Sequence, residues 1–129
     1  MKKLLVGLFI IMGVLMATAC SNNSQPKHLS DLVSYFKSQG YTIGDKTEKS
    51  YDLIGAKDGF GITLNGQPVE FYEFDPNKSN PTLDKVKSNG TLEVLGFSSQ
   101  AVANGNFILV GYDKVSDGDK IAKTFKDFK

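Results

Sequence analysis

A β-hairpin is predicted by residues 60–74, which read FGITLNGQPVEFYEF. Asn65-Gly66 at the centre suits the positive φ angles of a type I′ turn, and strand-forming residues flank it on both sides. Pro68 has no backbone N–H to donate, so it must lie at a sheet edge or near a strand end. Because a two-residue turn joins antiparallel strands, this stretch predicts an antiparallel sheet and disfavours a wholly parallel one.

Two segments have the periodicity of amphipathic helices. Residues 29–39 place apolar side chains at the i, i+3, i+4 and i+7 spacing, and Gly40 follows as a stop. The last segment can begin at Ser116 or Asp117, with apolar residues on one face and lysines on another. The apolar positions are Leu29, Leu32, Val33 and Phe36 in the first helix and Ile121, Ala122, Phe125 and Phe128 in the last.

The remaining elements are shorter. Residues 79–90 have a polar cap, Pro81 in the first turn and Gly90 as a terminator, which predicts a short surface helix. Extended structure is predicted for three further segments: 41–57 (one or two short strands around a polar turn at 44–50), 92–95 and 107–110. The last of these is an unbroken apolar run, typical of a central strand that is buried on both faces.

The order helix, strands, helix, strands, helix predicts a single small α+β domain. We expect an antiparallel sheet with the N-terminal and C-terminal helices packed mainly on one face. The chain has 129 residues and one cysteine, Cys20, which lies before the predicted domain. The domain must therefore be held together by its apolar core, to which its many phenylalanines and tyrosines contribute, and not by disulfides.

The N-terminus has the features of a secretory signal: Lys2 and Lys3, an apolar stretch at 4–16, and the small residues of Ala17-Thr18-Ala19-Cys20. A transmembrane anchor would need about 20 consecutive apolar residues, which this stretch does not reach. The segment Ala17-Thr18-Ala19-Cys20 resembles the lipobox of bacterial lipoproteins, although leucine is commoner than alanine at the first position. The resemblance implies cleavage before Cys20 and a thioether-linked diacylglycerol on its sulfur.

This resemblance divides the chain into three parts: a signal peptide at 1–19, a lipidated N-terminus with a flexible spacer at 20–27, and the folded domain at 28–129. Two acyl chains give a stable membrane anchor. The lipoprotein would then be held at the extracytoplasmic face of the cell membrane. Its spacer, SNNSQPK at 21–27, is small and polar, as flexible linkers are.

The charge of the chain argues against nucleic-acid recognition. The sequence has 15 lysines, no arginine and 14 carboxylates, and loss of Lys2 and Lys3 with the signal leaves 13 lysines against 14 carboxylates, a net charge near −1. Without arginine the protein lacks the bidentate donor that recognises phosphate best. No nucleic-acid partner is predicted.

Carboxylates and the single histidine are the candidate catalytic groups. Glu70, Glu73 and Asp75 could supply paired carboxylates for a hydrolase. However, strand alternation sends Glu70 and Glu73 to opposite faces, and solvated carboxylates are the preferred interpretation. His28 lies where the spacer meets the first helix, and we expect it to be exposed and to take no part in a catalytic triad.

Metal and phosphate sites have little support in the sequence. One histidine and no free cysteine do not make the usual zinc ligand set. The acidic loop at 112–120 has aspartates around Gly118, but Val115 and Thr124 stand where calcium ligands belong, so a turn followed by a helix is predicted, with weak calcium binding as the alternative. The glycines of 55–66 match no phosphate-loop pattern and are expected at turns and bulges. No cofactor is predicted.

Aromatic side chains are the remaining candidates for a binding surface. If Phe71 points inward, Tyr72 and Phe74 point outward, and residues 97–102 form a loop with no periodic place in the core. Exposed apolar patches mark interaction sites. The predicted interaction surface therefore consists of Tyr72, Phe74 and Phe97.

The mature chain as a whole resembles the small single-domain lipoproteins of Gram-positive cell envelopes. This resemblance implies a lipid-anchored binding or interaction protein without catalytic activity. Its partners would be the membrane, through the diacylglycerol on Cys20, and an envelope protein or a wall polymer. Two alternatives stay open: an exclusion or immunity lipoprotein of a mobile element, and a cell-envelope hydrolase that uses the three carboxylates.

Overall fold

The computed structural model describes residues 27–129, which fold around one six-stranded antiparallel sheet of strand order β1-β2-β3-β6-β5-β4. The strands are β1 (Ile43–Glu48), β2 (Asp58–Leu64), β3 (Gln67–Glu73), β4 (Thr91–Val94), β5 (Phe97–Asn104) and β6 (Phe107–Val110). The helices are α1 (Leu29–Ser38), α2 (Pro81–Asn89) and α3 (Gly118–Lys126), with short 3₁₀ helices at Tyr51–Ile54 and Tyr112–Lys114. The predicted α+β class is confirmed.

The hairpin of β2 and β3 forms as the sequence predicts. Asn65 and Gly66 have φ angles of 54° and 81°, and Leu64 pairs with Gln67 across the turn. Pro68 lies opposite Thr63, whereas the pairing of β3 with β6 begins only at Glu70. Next to a two-residue turn, an N–H at position 68 would point away from β2, where no strand accepts it, so the proline removes no ladder hydrogen bond.

We call the side of the sheet covered by α1 and α3 the first face. Leu32 and Phe36 of α1 and Phe125 of α3 are buried there against Phe71 of β3. The Phe71 ring lies at the centre, with ring centroids 5.4 Å from Phe36 and 6.1 Å from Phe125. Both terminal helices thus pack on one face, which confirms that part of the prediction.

The opposite side, the second face, is partly covered by α2 and the 3₁₀ helix at Tyr51–Ile54. Leu83 and Val86 of α2 are buried with Tyr72 and Ile108 of the sheet. Asn80 begins α2 as predicted, since its side chain accepts from the N–H groups of Thr82 and Leu83, and Gly90 ends it with φ of 73°. Strand β6 lies between these two cores and is buried along its whole length, as the apolar run predicted.

Three local predictions were wrong. The extended structure expected at the end of the segment 41–57 is instead the 3₁₀ helix at Tyr51–Ile54. The polar turn expected at 44–50 is mostly strand β1, an edge strand whose last five residues are exposed, so its polar composition reflects solvent on the outer side. The loop expected at 97–102 belongs to β5, which pairs with both β4 and β6. The turn into β5 is made by Leu95 and Gly96 with φ angles of 50° and 85°, and leucine is not a residue that signals such a turn.

No helix within residues 27–129 is long and apolar enough to cross a membrane.

Candidate functional site

Tyr72 and Phe74, predicted to be exposed, are buried, with 7% and 1% of their surfaces accessible. They point away from Phe71 as alternation requires, but α2 covers the second face at this end of the sheet. The Tyr72 hydroxyl donates a 2.6 Å hydrogen bond to Glu70 Oε1. Burial, followed by this bond and the nearby negative charge, raises the pKa of Tyr72 well above its usual value. These two aromatics belong to the core and not to a binding surface.

Phe97, the third predicted residue, is exposed. It lies where β5 begins, and 78% of its surface is accessible, as is 78% of Leu95 in the preceding turn. We call Leu95, Gly96 and Phe97 the hairpin tip. Sequence reasoning missed Leu95, because it was counted as part of the strand at 92–95; its exposure follows from its position in the turn.

The hairpin tip and the start of the domain lie at opposite ends of the sheet. His28 contacts Glu73 at the last residue of β3. Glu73 pairs with Phe107, which in turn pairs with Asn104 at the last residue of β5. Phe97 precedes Asn104 by seven residues in β5, so the two residues are about 23 Å apart along the strand at roughly 3.3 Å per residue. We call the end of the sheet at Glu73 the His28 end.

Glu73 is not the solvated carboxylate that was expected, since only 2% of its surface is accessible. Its Oε1 accepts a 3.1 Å hydrogen bond from the Leu29 N–H, at the first turn of α1. Its Oε2 lies 2.9 Å from His28 Nδ1 and 3.6 Å from Lys57 Nζ. A carboxylate at a helix N-terminus satisfies free N–H groups and complements the helix dipole, so Glu73 fastens α1 to the sheet.

The three acidic residues do not form a catalytic pair. Glu73 serves the first face beside α1, whereas Glu70 bonds Tyr72 on the second face. Asp75 Oδ1 accepts from the Asn77 N–H at 2.9 Å, which is a local turn contact. Two carboxylates on opposite sides of a sheet cannot flank one scissile bond.

His28 is exposed as predicted, with 52% of its side chain accessible, but it is held in place by Glu73. Its backbone N–H also donates to Asp31 Oδ2 at 2.8 Å, which forms a capping box at the start of α1. The contact between His28 and Glu73 orients the imidazole as in a catalytic dyad. Within residues 27–129, the contacts of His28 with Asp31 and Glu73 hold it at the start of α1.

The acidic loop forms the turn and helix start that were predicted. Asp117 begins α3 and exchanges two hydrogen bonds with Gln67: its N–H donates to Oε1 at 3.0 Å, and its Oδ2 accepts from Nε2 at 3.1 Å. Gly55 and Gly66 lie at turns as expected, with positive φ angles of 75° and 81°. Gly59 and Gly61 were expected at turns or bulges, but they lie within β2 in regular register with β3. Within residues 27–129, no three histidine, cysteine or acidic side chains come close enough together to hold a metal ion.

The described part of the chain is thus a small α+β protein with one antiparallel sheet and an exposed apolar hairpin tip. Comparison with known protein families, with curated proteins and with solved structures finds no match to this chain. Cys20, the predicted lipidation site, and the spacer up to Pro26 lie outside the described residues.

Proposed function

We propose that this protein is a lipid-anchored binding module on the extracytoplasmic face of the cell membrane and that it has no catalytic activity. The proposal is supported at the N-terminus by the lipobox-like Ala17-Thr18-Ala19-Cys20 and the polar spacer that follows. The claim that the protein has no catalytic activity is supported by the placement of Glu70 and Glu73 on opposite faces of the sheet. The membrane is the first partner, through the diacylglycerol on Cys20.

The exposed hairpin tip carries the proposal of a second, protein partner. Leu95 and Phe97 are among only three large hydrophobic residues that are exposed in the described part of the chain, and they are two positions apart on one turn. Apolar side chains grouped on a protruding tip are typical of an anchor that fills a pocket on a partner. An envelope protein with an apolar pocket is the occupant that this chemistry fits.

The position of the hairpin tip favours a protein over the bilayer itself. The spacer of residues 21–27 spans at most about 25 Å when fully extended. It would hold the His28 end of the sheet near the membrane, and the hairpin tip lies at the other end. The tip is then presented to proteins beside or above the anchored domain.

Site-specific photo-cross-linking in cells tests this proposal. A photoreactive amino acid at position 97 should yield a discrete adduct with an envelope protein. The same group at Lys37, an exposed position near the C-terminal end of α1, should yield none. The adduct should disappear in a Cys20→Ser chain, because the domain would no longer be concentrated at the membrane. Equal adducts at both positions, or an adduct with lipid alone, would contradict the protein partner.

A further inference from the structure

A groove that contains both charged and apolar residues lies on the part of the second face that α2 leaves uncovered. It has a volume of about 370 Å³ and runs over β1, β2 and β3, with Ser99 of β5 and Val110 of β6 on its far side. This volume falls in the range of small-ligand sites, roughly 300–1,000 Å³. The residues that determine its chemistry are Lys49, Gly61, Pro68, Glu70 and Val110.

An ion pair at the floor of the groove is prearranged. Lys49 Nζ lies 3.7 Å from Glu70 Oε2, too far for a normal hydrogen bond, and about a third of each side chain is accessible. The Glu70 side chain is held in place by Tyr72, because its Oε1 accepts a 2.6 Å hydrogen bond from the Tyr72 hydroxyl. Lys49 Nζ can therefore donate a hydrogen bond to a ligand, and Glu70 Oε2 can accept one, without a large change in either side chain.

Gly61 lies beneath the Lys49 side chain. A Cβ atom at position 61 would come 3.0 Å from Cε of Lys49, so the end of the lysine side chain would have to shift by a few tenths of an ångström. The hydrogen of glycine instead leaves room for the lysine stem against the strand. The sequence interpretation of the glycines at 55–66 did not include this role.

We infer that this groove binds a free α-amino acid with an aliphatic side chain. Its ammonium and carboxylate groups lie side by side, with about 2.5 Å between the nitrogen and the carboxyl carbon. Placed against the floor, the carboxylate meets Lys49 and the ammonium meets Glu70, so each charge of the ligand faces an opposite charge. Pro68, which is exposed, and the 5% of Val110 that is accessible provide apolar surface for the side chain.

The composition of the groove disfavours other ligand classes. Its charged side chains, Asp45, Lys49, Glu70 and Lys114, balance to zero and give no attraction for a polyanion. No aromatic ring lines it among the described residues, so it offers no face on which a sugar could stack. The groove and the hairpin tip use different residues, and the failure of either proposal leaves the other standing.

Equilibrium dialysis of radiolabelled leucine against the full-length chain in a nonionic detergent tests this inference. Leucine should bind saturably with one site per chain. Leucinamide and N-acetylleucine, which each lack one charge, should compete at least about tenfold more weakly, as should leucylglycine, whose charges are farther apart. N-acetylglucosamine should not compete.

Three variants make the test specific to the groove. Lys49→Gln and Glu70→Gln should each weaken leucine binding by about tenfold or more, and the glutamine at 70 can still accept the Tyr72 hydroxyl. Lys85→Gln breaks a comparably exposed ion pair with Glu93 outside the groove and should bind leucine like the unaltered chain. The inference is overturned if leucine does not bind, if N-acetylleucine or N-acetylglucosamine competes equally well, or if Lys49→Gln binds as tightly as Lys85→Gln.

Discussion

Glu73 illustrates how one side chain sets the geometry of the domain. It is the one buried charged residue in the described part of the chain, and it joins the last residue of β3 to the first turn of α1. Burying a carboxylate costs free energy unless hydrogen bonds and opposite charges replace water. The Leu29 N–H, His28 and Lys57 supply these partners, so the position of α1 on the sheet depends on this carboxylate.

Replacing Glu73 with glutamine should therefore destabilise the domain. Glutamine keeps the size and one acceptor, but it loses the charge that faces the helix N-terminus, His28 and Lys57. We expect the free energy of unfolding to fall by about 2 kcal/mol in urea denaturation. Glu93→Gln, which removes one partner of an exposed ion pair, should cost less than about 1 kcal/mol. Equal losses in the two variants would show that Glu73 does not fasten α1.

Tyr72 gives a prediction about alkaline pH. Its pKa is raised in the folded protein, first by burial and then by Glu70, so the unfolded chain ionises at lower pH than the folded one. Its contribution to stability is fully present below about pH 10 and is lost as the pH rises further. Tyr72→Phe should therefore show a shallower loss of stability above pH 10, measured by urea unfolding at several pH values.

Two other tyrosines also contribute to the loss of stability at alkaline pH. The pKa values of Tyr35 and Tyr112 are also raised, mainly by burial, so Tyr72→Phe should keep part of the alkaline loss. An unchanged slope would mean that the Tyr72 hydroxyl is not protected in the folded state. At neutral pH the substitution should cost only about 1 kcal/mol, the value of one hydrogen bond.

At the scale of single residues, the sequence predicted the face of the sheet to which each side chain points better than it predicted whether that side chain is buried. Alternation correctly placed Tyr72 opposite Phe71 and Glu70 opposite Glu73. It could not predict that α2 would fold back over the second face and bury Tyr72 and Phe74. Nor could it pair Glu73 with His28, since the two are 45 positions apart. Both misses concern contacts between distant segments, which local patterns do not encode.

Two of the hairpin turns of this sheet, the one between β2 and β3 and the one between β4 and β5, can be compared at the scale of elements. Asn65-Gly66 and Leu95-Gly96 have nearly the same φ angles, 54° and 81° against 50° and 85°. Asparagine adopts a positive φ readily, but for leucine it costs roughly 1–2 kcal/mol. A strained leucine on an exposed turn supports the proposed binding role of the hairpin tip, because strained residues cluster at binding sites.

Leu95→Asn should accordingly stabilise the domain and weaken binding. We expect the free energy of unfolding to rise by about 1 kcal/mol in urea denaturation, because the strain is relieved and no buried contact is lost. The yield of the adduct from position 97 should fall. The exposed control Leu53→Asn should leave the adduct unchanged. A destabilised Leu95→Asn chain would show instead that Leu95 packs within the fold.

Elements with strong local signals were predicted correctly. The turn at Asn65-Gly66, the amphipathic periods of α1 and α3 and the apolar run of β6 each determine an element without help from distant residues. Strand β5 was missed because its turn uses leucine and its sequence, FSSQAVAN, lacks clear alternation. Its strand conformation is imposed by pairing with β4 and β6, so it depends on the sheet as a whole.

At the scale of the whole molecule, the two ends of the sheet differ in character. At the His28 end both faces are covered, by α1 and by α2, and a buried carboxylate fixes the start of the domain. At the other end the second face is open as the groove, and the hairpin tip projects from β5. This arrangement puts the structural contacts beside the proposed anchor and leaves both proposed binding features facing away from it.

The anchor itself is tested by Cys20→Ser, which removes the sulfur that would carry diacylglycerol. Cells expressing this variant should show the protein in the soluble fraction, and labelled fatty acid should no longer be incorporated into it. The apolar stretch at 4–16 is too short to hold the chain as a membrane span, which needs about 20 residues. Thr18→Ser keeps a small residue before the cysteine and should stay membrane-bound and labelled. If Cys20→Ser also stays in the membrane fraction, the lipobox interpretation is wrong.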